Sequence, residues 1–280
     1  YNVEKWANDF MTSLKTVPTK GTATITLLLK GQVWDNIMSN YQISQKRLFF
    51  LDYDGTLTGF KNDPQRAEPD GHLLELLDRL NEPPENTVYL VSGRDKGTFQ
   101  KWFGNKKYNM IVEHGVWISE NGEEFRMLEQ MKKDWMDKIR PVLESFVDRT
   151  PGTFIEEKNY SLAWHYRQTD PDFGNKRATE LITVLTSLIG TDNISILSGN
   201  KVVEIKSGNV NKGRACTQVL ARGEYDFVFA IGDDTTDEFM FQELPDNSFT
   251  VKVGREKTNA RFFVENNRKV RDLLAGFVNV

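Results

Sequence analysis

The sequence of 280 residues has only one cysteine, Cys216, and no long apolar run. A single cysteine cannot form a disulfide within the chain, so the sequence excludes a disulfide-stabilised domain and favours a reducing compartment. No segment has the length and apolarity of a membrane span, and residues 1–15 lack the apolar core of a signal peptide. These absences predict a cytoplasmic protein without a membrane partner.

Positive charge is not in excess either. The chain carries 36 lysine and arginine residues against 40 aspartate and glutamate residues, which gives a formal net charge of -4. This balance argues against nucleic acid as a partner, because nucleic-acid-binding domains usually present a clear basic surface. An anionic substrate would therefore have to be held by a local cluster of cations.

From residue 46 onward the chain alternates short apolar runs with amphipathic segments. This alternation is the pattern of a parallel α/β sheet. The predicted strands are RLFFLDYD, TVYLVSG, YNMIVEHG, YDFVFAIGDD and SFTVKVG. The predicted helices that connect and follow them are HLLELLDRLNE, DKGTFQKWFG, NKGRACTQVLARG, TDEFMFQEL and VRDLLAGF.

The middle of the chain departs from this alternation. A helical segment there is followed by a strand pair in GTFIEEKNYSLAWHYRQ, a helix at residues 176–189 and a second strand pair in ISILSGNKVVEIK. We therefore predict a core built from residues 46–117 and 207–280, with an α+β unit inserted at residues 118–206. Residues 1–45 are predicted to be an extension or linker, and residues 3–15 show the apolar spacing of a helix.

Polar residues stand at the carboxyl ends of several predicted strands, where ligands bind in open parallel sheets. The first strand ends in Asp52 and Asp54, the second is followed by Ser92, and a later one by Asp233. Lys212 stands at the start of a helix. These strand ends predict that acids, a hydroxyl and an ammonium group share one site.

The two acids of the first strand can take distinct chemical roles. Asp52 stands at the strand tip, where its carboxylate can attack phosphorus and form an aspartyl phosphate. Asp54 can protonate the leaving oxygen and afterwards take a proton from water. Its nearness to Asp52 and to a bound phosphate is expected to favour its neutral form.

An anionic nucleophile that attacks a phosphate needs cations. Asp52 and Asp233, with a backbone oxygen of Asp54, offer the hard oxygen ligands that Mg²⁺ prefers. Lys212 would neutralise Asp52 and a phosphate oxygen, while Ser92 and the backbone N–H groups of the next loop would donate to the remaining oxygens. Asp234 and Asp237 have two open interpretations, as residues near the metal or as acids favoured at a helix N-terminus.

The four motifs together resemble those of the haloacid-dehalogenase superfamily of phosphotransferases. The resemblance rests on DYDGT, on a serine at the second strand end, on a lysine at a helix start and on GDDTTDE, over about residues 47–255. Within that superfamily, VEHGVWI, EEKNYSLAWHYR, SGNKVVEIK and GDDTTDEFMF resemble the trehalose-6-phosphate phosphatases. The whole chain is similar to the phosphatase portion of fungal subunits of that family, which follows a glycosyltransferase-like domain.

The resemblance implies a Rossmann-like parallel-sheet core with an inserted, mobile α+β cap of the C2 type. It also implies Asp52 as nucleophile, Asp54 as acid and base, and Mg²⁺ held by both with Asp233. Ser92 and Lys212 would hold the phosphate. The residues that would contact the sugar or line the core side of its pocket are Gly93, Arg94, Glu113, His114, Gly115, Glu156, Lys158, Arg167, Lys201 and Glu204.

Some of these assignments have a plain structural alternative. Ser92, Gly93 and Arg94 taken alone would suit a simple loop and helix cap. Lys158 and Arg167 could form a solvated ion-pair face with their acidic neighbours. His165 is expected to be structural. Lys201 needs a bend to face the ligand with a strand residue three positions later.

The function implied by the resemblance is Mg²⁺-dependent hydrolysis of trehalose 6-phosphate to trehalose and phosphate, the last step of trehalose biosynthesis. Other subunits of a trehalose synthase complex are possible partners. The alternatives are a phosphatase for another sugar phosphate, such as sucrose phosphate, a sugar phosphomutase, or a non-catalytic module that senses sugar phosphates. The core does not choose among them, because fold does not fix substrate.

Overall fold

The computed structural model describes residues 26–59, 66–129, 133–158, 160–190, 194–208 and 210–279. The helix predicted at residues 3–15 lies outside this part of the chain. Within it, none of the helices combines the length and the apolarity needed to cross a membrane.

The described residues form thirteen strands, eight helices and one 3-10 turn at Glu113–Gly115. The strands are β1 (Leu27–Leu28), β2 (Arg47–Asp52), β3 (Asn86–Val91), β4 (Asn109–Val112), β5 (Trp117–Ser119), β6 (Arg126–Met127), β7 (Phe154–Glu157), β8 (Ser161–His165), β9 (Ile194–Gly199), β10 (Val202–Ser207), β11 (Phe227–Gly232), β12 (Phe249–Val253) and β13 (Phe262–Val264). The helices are α1 (Gln32–Ile43), α2 (Gly71–Asn81), α3 (Lys96–Phe103), α4 (Asp134–Asp148), α5 (Pro171–Ile189), α6 (Lys212–Leu220), α7 (Glu238–Glu243) and α8 (Asn267–Val278).

Nine strands form one sheet in the order β1-β13-β12-β11-β2-β3-β4-β5-β6. The pairs from β1 to β4 are parallel, whereas β5 and β6 are added antiparallel to their neighbours. Helices cover both faces, so the central strand β2 is apolar at successive positions, and residues 48–51 are fully buried. The predicted α/β class with a mainly parallel sheet is confirmed.

Residues 26–43 pack against this core, although residues 1–45 were assigned to an extension or linker. Strand β1 pairs with β13, and α1 buries Ile37 and Tyr41. The Tyr41 ring lies 4.8 Å from the Phe277 ring and 6.1 Å from the Phe49 ring, measured between centroids. A strand of two residues is too short to show a period, so the sequence pattern contained no signal for it.

The inserted unit is a four-stranded antiparallel sheet in the order β7-β8-β10-β9, packed on α4 and α5. It has its own apolar core, which includes Leu143, Trp164, Leu181 and Val203. The unit begins after β6, later than the predicted boundary at residue 118, because β5 and β6 extend the large sheet as a hairpin. We call this inserted unit the cap and the rest of the described chain the core domain.

Candidate active site

The order of the strands brings the predicted site residues together. Strand β2 lies between β11 and β3, and all three run parallel. Their carboxyl ends therefore meet at one edge of the sheet, with Asp52 ending β2, Ser92 following β3 and Asp233 following β11. Ligands bind at this edge in open parallel sheets.

Lys212 is the central cation of the site. Its Nζ donates to Asp52 Oδ1 and to Asp237 Oδ1, each at 2.7 Å, and its side chain is 2% exposed. Burial acts to lower the pKa of Lys212, but the two carboxylates outweigh it and hold that pKa well above its usual value. Asn211 fixes the start of α6, because its side chain accepts from Arg214 N at 2.8 Å.

The acids beside Lys212 carry more negative charge than it compensates. Burial raises the pKa of Asp52 to about 8 against the lowering effect of Lys212, and Asp233 and Asp234 raise it further. Burial also raises the pKa of Asp233 to about 7, with Asp237 and Asp234 adding to the effect. Asp52 Oδ2 is buried and has no hydrogen-bond partner among the described residues. Among the described residues, these acids therefore carry more negative charge than the ammonium group of Lys212 compensates.

A divalent cation fits this donor set. Asp52, Asp233 and Asp237 offer carboxylate oxygens that lie within 4.8 Å of one another. Asp237 is already engaged, since one oxygen bonds Lys212 and the other accepts from the backbone N–H groups of Asp233 and Asp234 at 2.9 and 3.0 Å. Asp52 and Asp233 are therefore the side chains with oxygen left for Mg²⁺, which prefers carboxylate ligands.

The two acids that the sequence left open, Asp234 and Asp237, shape the loop after β11. Asp234 Oδ1 accepts from Thr236 N at 2.8 Å, from Thr236 Oγ1 at 2.7 Å and from Asp237 N at 3.1 Å. Burial opposes the charged form of Asp234, but Lys212 and these hydrogen bonds lower its pKa. Asp234 thus stabilises the turn, and Asp237 connects that turn to Lys212.

Gly55 is required by the close approach of Asp233. Its φ is +83°, a conformation that L side chains rarely adopt, and a methyl group there would overlap the Asp233 carboxylate. Gly55 of DYDGT therefore leaves the space that the Asp233 carboxylate occupies, and Asp233 follows β11, far along the chain. Thr56 Oγ1 also donates to Asp233 Oδ1, at 3.4 Å.

Asp54 has a partner that the sequence analysis did not anticipate. Arg94 donates from Nε to Asp54 Oδ2 at 2.7 Å and from a terminal nitrogen to Oδ1 at 2.6 Å, and its guanidinium lies 4.7 Å from the Trp102 ring centroid. Such a planar, two-bond contact stabilises a carboxylate. The expectation that Asp52 and a bound phosphate favour neutral Asp54 stays a prediction. Arg94, assigned to the substrate, is instead engaged with Asp54.

The loop after β3 packs against the turn after β4. A methyl group at Gly93 would overlap the His114 ring. Glu113, His114 and Gly115 have φ values of 51°, 56° and 107°, and such backbone is uncommon for residues other than glycine. Ser92 Oγ accepts from Arg94 N at 3.1 Å.

The cap closes on the core through Glu204 and Lys158. His114 Nε2 lies 3.3 Å from Glu204 Oε2, and Lys158 Nζ donates to Gly93 O at 3.4 Å. Burial lowers the pKa of His114, which favours the neutral form of its ring. Ser161, which the sequence analysis did not single out, donates to Glu204 Oε1 at 2.9 Å.

The face of the cap sheet that meets the core follows from its register. Glu156 pairs with Ala163, which pairs with Glu204, so these three residues share one face. Because alternate residues of a strand share a face, Lys158 and Ser161 belong to it as well. The alternation of side chains along each strand, applied from Glu204, would have identified that face from the sequence.

Three predicted cap residues bond within the cap instead. Glu156 bonds His165 at 2.8 Å. Arg167 donates to Asn200 O and Lys201 donates to Asn175 Oδ1, both at 3.1 Å. The bend predicted at Lys201 is present, with φ +65°, but it turns the side chain toward α5.

The fold is shared with a solved haloacid dehalogenase-like hydrolase from B. subtilis, with a TM-score of 0.62 at 15% identity, covering 82% of this chain and 99% of that one. The trehalose-phosphatase family model matches residues 50–268. The chain belongs to the trehalose-phosphatase family.

Two individual relatives support this membership. The chain is 38% identical over 276 residues to a bifunctional trehalose-6-phosphate synthase/phosphatase of Thermoproteus tenax, covering 98% of this chain and 38% of that protein. It superposes on the C-terminal domain of C. albicans trehalose-6-phosphate phosphatase with a TM-score of 0.83 at 31% identity, covering 93% of this chain and all of that one. The chain spans less than two fifths of the length of the first curated relatives it matches.

Proposed function

We propose that this chain is a Mg²⁺-dependent phosphatase that hydrolyses trehalose 6-phosphate through an aspartyl-phosphate intermediate. The observation that carries the proposal is Asp52. Its Oδ1 is held by Lys212 while its Oδ2 is buried without a partner among the described residues, at the strand end where ligands bind. Membership of the trehalose-phosphatase family supports the substrate.

The chemistry then follows from the positions of the acids. One carboxylate oxygen of Asp52 attacks phosphorus, and the bond from phosphorus to the sugar oxygen breaks as the bond to Asp52 forms. Asp54 gives its proton to that sugar oxygen. Asp54 next takes a proton from water, whose oxygen attacks phosphorus and releases Asp52. Mg²⁺, when bound by Asp52 and Asp233, supplies positive charge for the phosphoryl group.

The contact between Arg94 and Asp54 restricts when Asp54 can take part in these reaction steps. Both carboxylate oxygens of Asp54 accept from Arg94, so at least one of these hydrogen bonds has to break before Asp54 can contact the sugar oxygen. Substrate entry is the step at which this exchange is expected. The contact with the Trp102 ring can keep the Arg94 guanidinium in place after Asp54 has moved away from it.

The cap has to open before a sugar phosphate can enter. The cavity between Glu204, Lys158 and the core has a volume of about 10 Å³, whereas pockets for ligands of this size occupy roughly 300 Å³ or more. The ion-pairing groups that close the cap, Glu204 and Lys158, are then free to bind sugar hydroxyls. Closure over the substrate also excludes water from the first step.

Phosphate release from trehalose 6-phosphate, with Mg²⁺ and with a chelator, tests the proposal. We expect release only with Mg²⁺, and a loss of at least about a thousandfold in kcat for Asp52→Asn. Asp35→Asn, on the exposed face of α1, is the matched control and should keep full activity. Normal hydrolysis by purified Asp52→Asn would remove Asp52 from the role of nucleophile.

Glu204→Ala tests sugar recognition by the cap. We expect kcat/KM for trehalose 6-phosphate to fall about ten- to a hundredfold, since a charged hydrogen bond to the sugar is lost. Hydrolysis of a small aryl phosphate, which has no sugar, should change little. Equal losses for both substrates would contradict a role of Glu204 in sugar binding.

The alternative functions predict other products. A phosphomutase would give an isomerised ester instead of free phosphate, another sugar phosphatase would prefer a different member of a sugar-phosphate panel, and a sensing module would give no turnover. A trehalose synthase is the proposed partner, because the Thermoproteus tenax relative is named as both synthase and phosphatase.

A further inference from the structure

Lys206 is a buried cation of the cap. It lies on β10, two residues after Glu204, and pairs with Ser161 of β8. By the alternation of a strand, its side chain shares the face of the cap sheet that meets the core. The residue is 4% exposed, and its Nζ has no hydrogen-bond partner among the described residues.

The surroundings of Lys206 belong to both halves of the site. It lines the cavity between cap and core together with Glu204, Lys158 and His114. The charges that act on it come from Glu204 and Lys158 of the cap and from Lys212 and Asp234 of the core, and burial lowers its pKa to about 8. A buried ammonium that lacks a partner is costly, so the cost indicates a ligand that the cavity receives.

We propose that Lys206 is an additional phosphate-binding residue of the cap, which donates to an oxygen of the phosphoryl group when the substrate is bound. This inference rests on the proposed phosphatase function. Lys212 is already shared between Asp52 and Asp237, so a phosphate that enters beside these acids needs a second ammonium group. Lys206 supplies that group from the moving half of the site.

A consequence follows for the movement of the cap. A phosphate contact made by Lys206 exists only when the cap is closed, because Lys206 belongs to the cap and the phosphate to the core. Bound phosphate therefore shifts the population toward the closed state. Glu204 then contacts the sugar after phosphate binding has favoured the closed position of the cap.

Binding of inorganic phosphate to Lys206→Met tests the proposal, by calorimetry and by thermal unfolding in buffer that contains Mg²⁺. We expect phosphate to bind about ten- to a hundredfold more weakly than to the parent protein, since one charged hydrogen bond is lost. The rise in unfolding temperature caused by phosphate shrinks accordingly. Trehalose, which has no charge, should bind as before, and Lys206→Arg should keep most of the phosphate affinity.

The stability of the unliganded variant separates this role from a structural one. Removing a buried charge that lacks a partner should leave the unfolding temperature unchanged or higher, whereas loss of a structural contact would lower it. The matched control is Lys138→Met, a neutralised lysine on the exposed face of α4, which should bind phosphate as the parent does.

Three results would overturn the proposal: unchanged phosphate binding in Lys206→Met, equal weakening of phosphate and trehalose, or a clear loss of stability without ligand. Inorganic phosphate carries no sugar, so the phosphate measurement stands even if trehalose 6-phosphate proves not to be the substrate. Failure of the proposed function would appear in the turnover assays, whereas failure of this inference would appear in the binding and unfolding measurements on Lys206→Met.

Discussion

Replacing Lys212 with methionine removes the ammonium group that contacts two buried acids, Asp52 and Asp237. Lys212 Nζ lies 2.7 Å from Asp52 Oδ1 and from Asp237 Oδ1, and the three side chains are 2%, 4% and 0% exposed. Methionine keeps most of the volume of the lysine side chain, so the change is mainly electrostatic. The variant tests whether the site is held together by this ion triad.

The expected loss of stability follows from the burial of the triad. Removing one partner of a buried ion pair costs about 3 to 5 kcal/mol, because the other partner stays buried without compensation. For a protein of this size, a loss of about 1 kcal/mol lowers the unfolding temperature by about 2 to 4 °C. Lys212→Met should therefore unfold about 6 to 20 °C below the parent protein.

The loss should depend on pH with a definite sign. Without the ammonium, the pKa values of Asp52 and Asp237 rise further above those in the unfolded chain. The folded state then binds protons that the unfolded state has released, so its stability falls as the pH rises. We expect a smaller penalty at pH 5, where the acids are protonated more readily, than at pH 8.

Urea unfolding of the single variant and of Lys212→Met/Asp237→Asn measures these effects. The double variant should regain at least about 1 kcal/mol of the free energy of unfolding, since one uncompensated charge is gone. Lys138→Met serves as the surface control. A single variant as stable as the parent, or a double variant without any recovery, would refute the reasoning.

Two further predictions concern the metal site. Mg²⁺ should raise the unfolding temperature at pH 8 more than at pH 5, because at pH 5 it competes with protons on Asp52 and Asp233, whose pKa values burial raises to about 8 and about 7. Equal shifts at the two pH values, measured by fluorimetry against a chelator, would count against these ligands. Gly55→Ala should lower stability by about 1 to 2 kcal/mol, since φ is +83°, and should abolish the Mg²⁺ shift as the methyl group displaces Asp233. Gly71→Ala, with open space at its methyl position, is the control, and a retained shift in Gly55→Ala would contradict the packing argument.

Much of the core could be predicted from the sequence because its signals are local. Apolar runs such as residues 48–51 predict a buried strand, and the acids that end such a run stand at its carboxyl end wherever the strand lies in the sheet. The glycine after Asp54 likewise indicates an unusual backbone conformation. The same locality explains the two errors in the predicted domain boundaries. The β5–β6 hairpin has the same residue period as a hairpin of the cap, so it was assigned to the cap. Strand β1 is too short to show any period.

The sequence alone determined the fold class, the family and the residues that end the central strands, since these depend on short-range patterns and on motifs. Only the tertiary structure showed which charged side chains contact one another. Arg94 donates two hydrogen bonds to Asp54, and Lys212 contacts both Asp237 and Asp52. Lys206 has no hydrogen-bond partner among the described residues. The physical reason is that these contacts join residues far apart in the chain, and the order of the strands and the docking of the cap set their distances.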